Sequence, residues 1–240
     1  MRRMRHLKPR EIQGCQLALD ASIATSLYDA TSGGSLVAAD GAVARWEDQS
    51  GSGYHVTQAT GTEQPLRRVA NRAGLDALQF DNTDDRLINA SIGTTRPHTI
   101  FAVGQTSNDL AVAVDNHDNS QNALGRGGAT DNPGKFFATS NGTSALIDND
   151  TVWGCLLATY TSAEGKTLQR GRTFGSTAAN AGNGFSGISV GDIRGNPTPI
   201  VTNYRWGGYL SEICVFNTAL NRSVAQRLID SRSRKWRTDR

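Results

Sequence analysis

Short apolar runs recur along the chain, each long enough for one β-strand, and clusters of Gly, Asn, Asp, Ser and Thr separate them. Seventeen aspartates stand against five glutamates, and Asp bonds the neighbouring backbone in turns whereas Glu favours helices. This pattern predicts an all-β protein. The predicted strands are Leu17–Asp20, Ala77–Asp81, Thr99–Gln105, Leu110–Asp115, Lys135–Ser140, Trp153–Thr161, Thr167–Gly175, Ile188–Val190 and Gly208–Asn217.

A helical period appears only near the C-terminus. Leu220, Val224 and Leu228 recur every four residues, Asn221 can cap a helix, and Arg and Lys follow in the last turn. The period predicts one helix over 221–236, packed on the sheets. Because about ten strands are expected without βα alternation, a two-sheet antiparallel sandwich is favoured over a parallel α/β fold.

The chain of 240 residues shows neither a repeat nor a Pro- or Ser-rich linker, which predicts one domain. Its expected parts are a basic arm (1–14), the sandwich (15–220), and a helix with a basic tail packed on the same domain (221–240). No stretch approaches eighteen apolar residues, and no apolar segment follows the basic N-terminus. The sequence therefore predicts neither membrane insertion nor a secretory signal.

Charge is concentrated at the two ends. Residues 1–10 carry +5 and residues 230–240 carry +3, so a net charge of +3 leaves −5 for residues 11–229. A basic arm of this kind can bind nucleic acid, an anionic membrane or an acidic partner surface, or it can be a solvated tail. Trp236 is the one aromatic residue in these ends, which disfavours sequence-specific nucleic-acid binding. The predicted anchoring residues are Arg2, Arg3, Arg5, Lys8 and Arg10.

Three cysteines, Cys15, Cys155 and Cys214, lie in apolar contexts with no CxxC motif and no histidine cluster. This disfavours a zinc site and predicts buried free thiols. A single disulfide stays open as an alternative, and it would require an oxidising compartment.

Several blocks resemble one known family when they are taken in order. They are LALDAS (17–22), VARWEDQSGSGYHVTQA (43–59), ALQFDNTDDRLI (77–88), ISVGD (188–192) and the segment GYLSEICVFNTAL (208–220) that leads into the helix. Together they are similar to the LamG-like, concanavalin A-like jelly-roll family. The resemblance spans most of the chain and implies a jelly-roll sandwich.

Two of these blocks are rich in turn-forming residues. The WEDQSGSGY turn has glycines that permit positive φ and an Asp that can cap backbone donors, so we expect a structural role for it. Asp81, Asp84 and Asp85 end a strand and offer oxygen ligands for calcium, as in some members of the wider superfamily. A tight turn explains them as well. The same two interpretations apply to 115–118 and 148–150, and tight turns explain all three segments more simply than calcium does.

Catalytic members of the superfamily carry paired carboxylates on one strand, in E-x-D-x-E or E-x-D-x-x-E runs. The five glutamates of this chain are scattered singly, and Glu212 is expected to form structural hydrogen bonds within its strand. The G-x-S-x-G and phosphate-binding motifs are also absent. We therefore expect no catalytic residues and a protein that is not an enzyme.

Two functional hypotheses remain. The favoured one is a structural or recognition protein on the surface of a phage virion, because proteins with similar sequence motifs occur among phage virion genes. The absence of a leader fits assembly in the host cytoplasm. Its basic arm would bind a capsid or tail protein, within a homo-oligomer or symmetric assembly.

The alternative is a stand-alone lectin-like carbohydrate-binding module, and a virion protein can also contact host-surface glycans. In such a module aromatic rings stack on sugars while Asn side chains bond hydroxyls. Aromatic residues in strands usually pack inward, which favours Tyr204 and Trp206 as core residues. The candidate glycan-binding residues are Tyr54, Asn116, Asn119, Asn203, Tyr204 and Trp206.

Overall fold

A computed structural model describes most of the chain. The described residues are 7–106, 108, 111–117, 122–127, 134–140, 143–148, 153–161, 166–178, 184–193 and 204–238. They form two antiparallel sheets and one C-terminal helix, which confirms the predicted two-sheet sandwich.

The first sheet, sheet A, has eight strands in the order β15-β14-β13-β8-β17-β6-β5, and β1 also pairs with β17. Its central strand β17 pairs with β8 along one edge and with both β6 and β1 along the other. The strands are β1 (Cys15–Asp20), β5 (Leu66–Arg72), β6 (Leu75–Asp81), β8 (His98–Thr106), β13 (Gly154–Tyr160), β14 (Lys166–Arg170), β15 (Thr173–Ala178) and β17 (Gly207–Phe216).

The second sheet, sheet B, has nine strands in the order β12-β11-β10-β9-β16-β7-β4-β3-β2. Three of them are only two residues long and extend one edge. The strands are β2 (Leu27–Tyr28), β3 (Arg45–Trp46), β4 (Val56–Thr57), β7 (Leu87–Thr94), β9 (Ala111–Asn116), β10 (Leu124–Arg126), β11 (Lys135–Ser140), β12 (Thr143–Asp148) and β16 (Phe185–Val190).

Sheet A is buried on both faces. Alternate residues of its strands, such as Ile213 and Val215, meet sheet B in the main core, while Cys214 and Phe216 point to the opposite side. That side packs against the helix α1 (Arg222–Trp236) in a second apolar cluster. Within the described ranges the molecule therefore has three layers, and no α-helix packs on the outer face of sheet B.

The helix begins and ends as its sequence predicts. The Asn221 side chain accepts a hydrogen bond from the Val224 N–H (3.0 Å), and Arg237 closes the last turn in the left-handed conformation. Beneath it, Glu212 accepts hydrogen bonds from the Trp236 indole (2.8 Å) and from Arg232 (3.3 Å), which confirms its structural role. No helix in the described ranges is long and apolar enough to cross a membrane.

The predicted arm joins the domain from Leu7 onward. Leu7 donates its N–H to the Ser231 hydroxyl (3.1 Å), and Ile12 is buried in the cluster beneath the helix. The Asn217 N–H then bonds the Gly14 carbonyl (2.8 Å). Residues 7–14 are thus part of the packed domain, and 1–6 lie outside the described residues.

The cysteine prediction is confirmed, since Cys155 and Cys214 are buried free thiols and Cys15 is a half-buried one. Every predicted strand is present, and the run predicted at 167–175 is a hairpin of β14 and β15. The sequence pattern missed β5, β7, β10 and β12, together with the three two-residue strands. The missed β5 is an edge strand whose residues are largely half-buried or exposed, so it carries no apolar run.

Candidate functional site

Loops from both sheets meet at one end of the sandwich, where β6, β8 and β16 end and β17 begins. The Asn82 N–H bonds the Trp206 carbonyl (3.2 Å), and the Trp206 N–H bonds the Gly191 carbonyl (2.9 Å). The Thr106 hydroxyl donates to the Gly207 carbonyl (2.7 Å). We call residues 81–86, 106, 108, 191–193 and 204–207 the loop rim.

The loop rim contains the predicted calcium ligands, and their carboxylate oxygens lie within 4.8 Å of one another. The Asp81 carboxylate accepts the N–H groups of Thr83 (2.7 Å) and Asp84 (3.3 Å), while Asp85 accepts the Asp81 N–H (2.8 Å). These bonds are those of a tight turn, as the second interpretation of this segment predicts.

Burial, together with repulsion within this cluster, perturbs Asp85. Burial raises the pKa of its carboxyl to about 7, and the neighbouring charges of Asp81 and Asp84 add to the shift. A divalent cation would remove that repulsion, and carboxylate oxygens are ligands that calcium accepts. Asp84 keeps both oxygens free of hydrogen bonds within the described residues, so the donor set is chemically suited to such an ion.

Ion pairs connect segments of the loop rim to each other and to Glu63. Arg86 contacts Glu63 (2.5 Å) and lies 3.8 Å from Asp192, which is buried. These ion pairs tie the β6–β7 loop to the segment after β16. No sequence motif signals these residues, because their partners lie far apart in the chain.

Of the candidate aromatic residues, Tyr204 is half-buried at the loop rim and packs on an apolar cluster at the outer face of sheet B, with Val112, Phe137 and Ile193. Trp206 is only 1% exposed, and its indole donates to the Tyr209 carbonyl (3.2 Å). Trp206 is therefore a core residue with no ring face open to a sugar.

The other candidates lie elsewhere. Tyr54 is half-buried against the main core. Asn116 is buried, and its side chain accepts the Ser186 N–H (3.0 Å), so it is a structural residue and not a glycan ligand. Asn119 and Asn203 lie outside the described residues.

The turn at 46–54 has the structural role that its sequence predicts. The Asp48 carboxylate accepts the N–H groups of Ala18 (2.9 Å), Ser50 (2.8 Å) and Tyr54 (3.2 Å). It thus joins the turn to β1.

The other two acidic segments, 115–118 and 148–150, are only partly described. Asp148 pairs with Lys135 (2.5 Å). Asp118 and residues 149–150 lie outside the described residues.

Two predicted anchoring residues, Lys8 and Arg10, are exposed beside the helix, on the side of sheet A that faces away from sheet B. Arg2, Arg3 and Arg5 lie outside the described residues. The structure therefore separates Lys8 and Arg10 from the loop rim.

No family model matches this chain, and no curated protein matches it. Among solved structures, it is similar to domain 4 of AbnA, a GH43 extracellular arabinanase from Geobacillus stearothermophilus solved in complex with arabinotriose. The TM-score is 0.61 at 10% identity, over 90% of this chain and 98% of that domain.

A second similar structure is the binding domain of Paraclostridial Mosquitocidal Protein 1, with a TM-score of 0.61 and 13% identity over 94% of this chain and 53% of the other. A third is a GH54 α-L-arabinofuranosidase, with a TM-score of 0.63 and 15% identity over 90% of this chain and 62% of the other. The chain thus spans a little over half the length of these two proteins. At such identities the similarity shows the shared β-sandwich fold alone.

Proposed function

We propose that this protein is a non-catalytic carbohydrate-binding module whose ligand contacts the loop rim. The observation that carries the proposal is the shared fold with the arabinanase domain, 98% of which aligns and which was solved with arabinotriose. Because nearly the whole arabinanase domain aligns with this chain, the similarity supports the carbohydrate-binding hypothesis more directly than it supports a virion role.

The chemistry of the loop rim suits a sugar. Tyr204 contributes a half-buried aromatic side chain, and Asp81 and Asp84 offer carboxylate oxygens that accept hydrogen bonds from hydroxyl groups. Asn108, half-buried in the same loop rim, adds an amide. Ring stacking together with carboxylate and amide bonds is the combination expected of a glycan site.

Absence of catalysis is part of the proposal. The five glutamates are scattered in the sequence, and Glu212 lies buried under the helix, where it has structural partners. Asp81 and Asp85 both accept N–H groups of their own turn. A glycoside hydrolase needs one carboxylic acid and one carboxylate that flank the scissile bond.

A glycan array followed by calorimetric titration with arabinotriose tests the proposal, each run with calcium and with a chelator. Tyr204→Ala should weaken binding by about fivefold or more, because a stacked aromatic ring contributes about 1 kcal/mol or more. Tyr28→Ala is the matched control, since Tyr28 is another half-buried tyrosine and stacks under Arg45 at the far edge of sheet B. Equal effects of both changes, or no glycan bound, would refute the assignment.

The virion-surface role stays a prediction from the family resemblance. Mass spectrometry of purified particles from the source tests it, because a decoration protein must co-purify in many copies. Particles that lack this chain would rule the role out and leave the carbohydrate-binding proposal unaffected.

A further inference from the structure

A cavity of about 590 Å³ lies between the N-terminal segment, the outer face of sheet A and the last two turns of α1. We call it the arm–helix cavity. It is on the helix-covered side of the molecule, on the face of sheet A opposite to sheet B. Its volume is in the range of sites that enclose ligands. Its floor is apolar and includes Ala18, Ile23, Leu75 and Cys214.

The border of the cavity is strongly basic. Six cationic side chains line it against two carboxylates, Asp20 and Glu212, which leaves a net charge of +4. The six are Lys8, Arg10, Arg232, Arg234, Lys235 and Arg237.

The two carboxylates are already engaged by two of these cations. Lys235 binds Asp20 (2.6 Å) and Glu212, and Arg232 binds Glu212 (3.3 Å). Lys8, Arg10, Arg234 and Arg237 make no ion pair within the described residues. These four charges are therefore available to an anionic ligand.

The floor also contains one buried acceptor without a partner. Glu212 is 1% exposed, and its Oε1 receives the hydrogen bonds of Arg232, Lys235 and Trp236. Its Oε2 has no hydrogen-bond partner among the described residues. Leaving a buried oxygen without a hydrogen bond is unfavourable, and an N–H or O–H donor of a ligand would satisfy it.

We infer that the arm–helix cavity binds a short acidic segment of a partner protein. Such a segment supplies an apolar side chain for the floor, a backbone N–H for Glu212 Oε2, and carboxylates for Lys8, Arg10, Arg234 and Arg237. A neutral sugar offers nothing to these four cations. Residues 1–6 of this chain carry three arginines and no acid, so charge disfavours them as the occupant.

This inference goes beyond the proposed function, because it concerns a second surface and a second kind of ligand. With a glycan at the loop rim and a protein segment in the arm–helix cavity, the module would bind two partners at once. The acidic loop rim and the basic cavity give the two surfaces opposite charge.

Fluorescence anisotropy with labelled synthetic peptides tests the inference. The peptides carry Asp and Glu on both sides of a central pair of residues, which is varied among Leu, Phe, Val and Gly. We expect binding that needs an apolar central pair and weakens as salt rises. The double variant Arg234→Glu/Arg237→Glu should weaken binding by about tenfold or more, because it reverses two charges at the cavity border.

Arg222→Glu/Arg227→Glu is the matched control. It makes the same change of charge at two residues of α1 that do not line the arm–helix cavity, and Arg222 stacks on Phe174 instead. We expect the control to change the affinity by less than about twofold. Circular dichroism checks the fold of both proteins, and Arg234→Gln/Arg237→Gln replaces the reversal if that variant fails to fold.

Three results would overturn the inference. The first is equal weakening by the two double variants, and the second is equal binding of the Gly-centred peptide, since either would reduce the interaction to general charge. The third is the absence of binding by every peptide. This result also overturns the inference when decanoate or anionic vesicles bind and their binding depends on Arg234. That case would assign the cavity to a small amphiphile or a lipid.

Discussion

Replacing Glu212 by alanine should destabilise the domain severely, although this residue lies far from the loop rim. Glu212 is buried in the middle of sheet A and holds Arg232, itself only 5% exposed, together with Lys235 and the Trp236 indole. Its removal leaves the Arg232 charge buried without an anion and the indole N–H without its acceptor.

The expected loss follows from these contacts. Breaking a buried ion pair by removing one partner costs about 3–5 kcal/mol. Domains of this kind have a free energy of unfolding of about 5–15 kcal/mol, so the variant would keep a reduced fraction of its stability. Glu11→Ala, a change at an exposed glutamate, should alter the stability by less than about 0.5 kcal/mol.

Urea denaturation followed by tryptophan fluorescence measures the effect, because Trp236 belongs to the network. The double variant Glu212→Met/Arg232→Met separates the buried charge from the loss of packing, since replacing both partners by apolar groups should be neutral within about 1–2 kcal/mol. A loss below about 1 kcal/mol for Glu212→Ala would refute the reasoning, as would a double variant no more stable than the single one.

Three further outcomes are expected. Because the pKa of Asp85 is raised to about 7, the stability contributed by its protonated carboxyl is complete below pH 4 and is lost as the pH rises through 7. Asp85→Asn should therefore stabilise the protein by about 1–2 kcal/mol at pH 8 and leave its stability unchanged at pH 4. Thermal melts at both pH values check this, and equal gains would contradict it. Burial, assisted by the Arg96 charge, lowers the pKa of His98 to about 3, so stability should fall by about 4 kcal/mol between pH 6.5 and 3. His98→Phe should flatten that part of the pH profile, and an unchanged slope would exclude His98 as the cause. Asp48→Ala should cost about 2–4 kcal/mol in chemical denaturation, since it removes the acceptor for three backbone N–H groups, and a loss near zero would show that water replaces the carboxylate.

Local patterns were sufficient for the elements that have a strong local signal. The apolar run at 99–105 became β8, and the four-residue period behind Asn221 became α1, because a continuous apolar run and helix capping are signals that act over a few residues. The turns at Asp48 and Asp81 followed from the same kind of evidence, since an Asp side chain bonds backbone groups two or three residues away.

Burial of individual aromatic and amide residues did not follow from the sequence. Tyr204 and Trp206 stand two positions apart, yet Tyr204 lies over the outer face of sheet B and Trp206 lies in the core between the sheets. Strand β5 was missed because an edge strand needs no apolar run, and its pairing with β6 holds it in place.

Only the tertiary structure brought together the two candidate surfaces. The loop rim joins residues near 81, 108, 191 and 206, and the arm–helix cavity joins residues near 8, 18, 213 and 235. Antiparallel pairing of β17 with β6 and β1 makes such distant residues neighbours. The register of that pairing depends on how whole sheet faces pack, and no short segment encodes that packing. A local sequence pattern therefore predicts the strands and turns but not the surfaces that they form together.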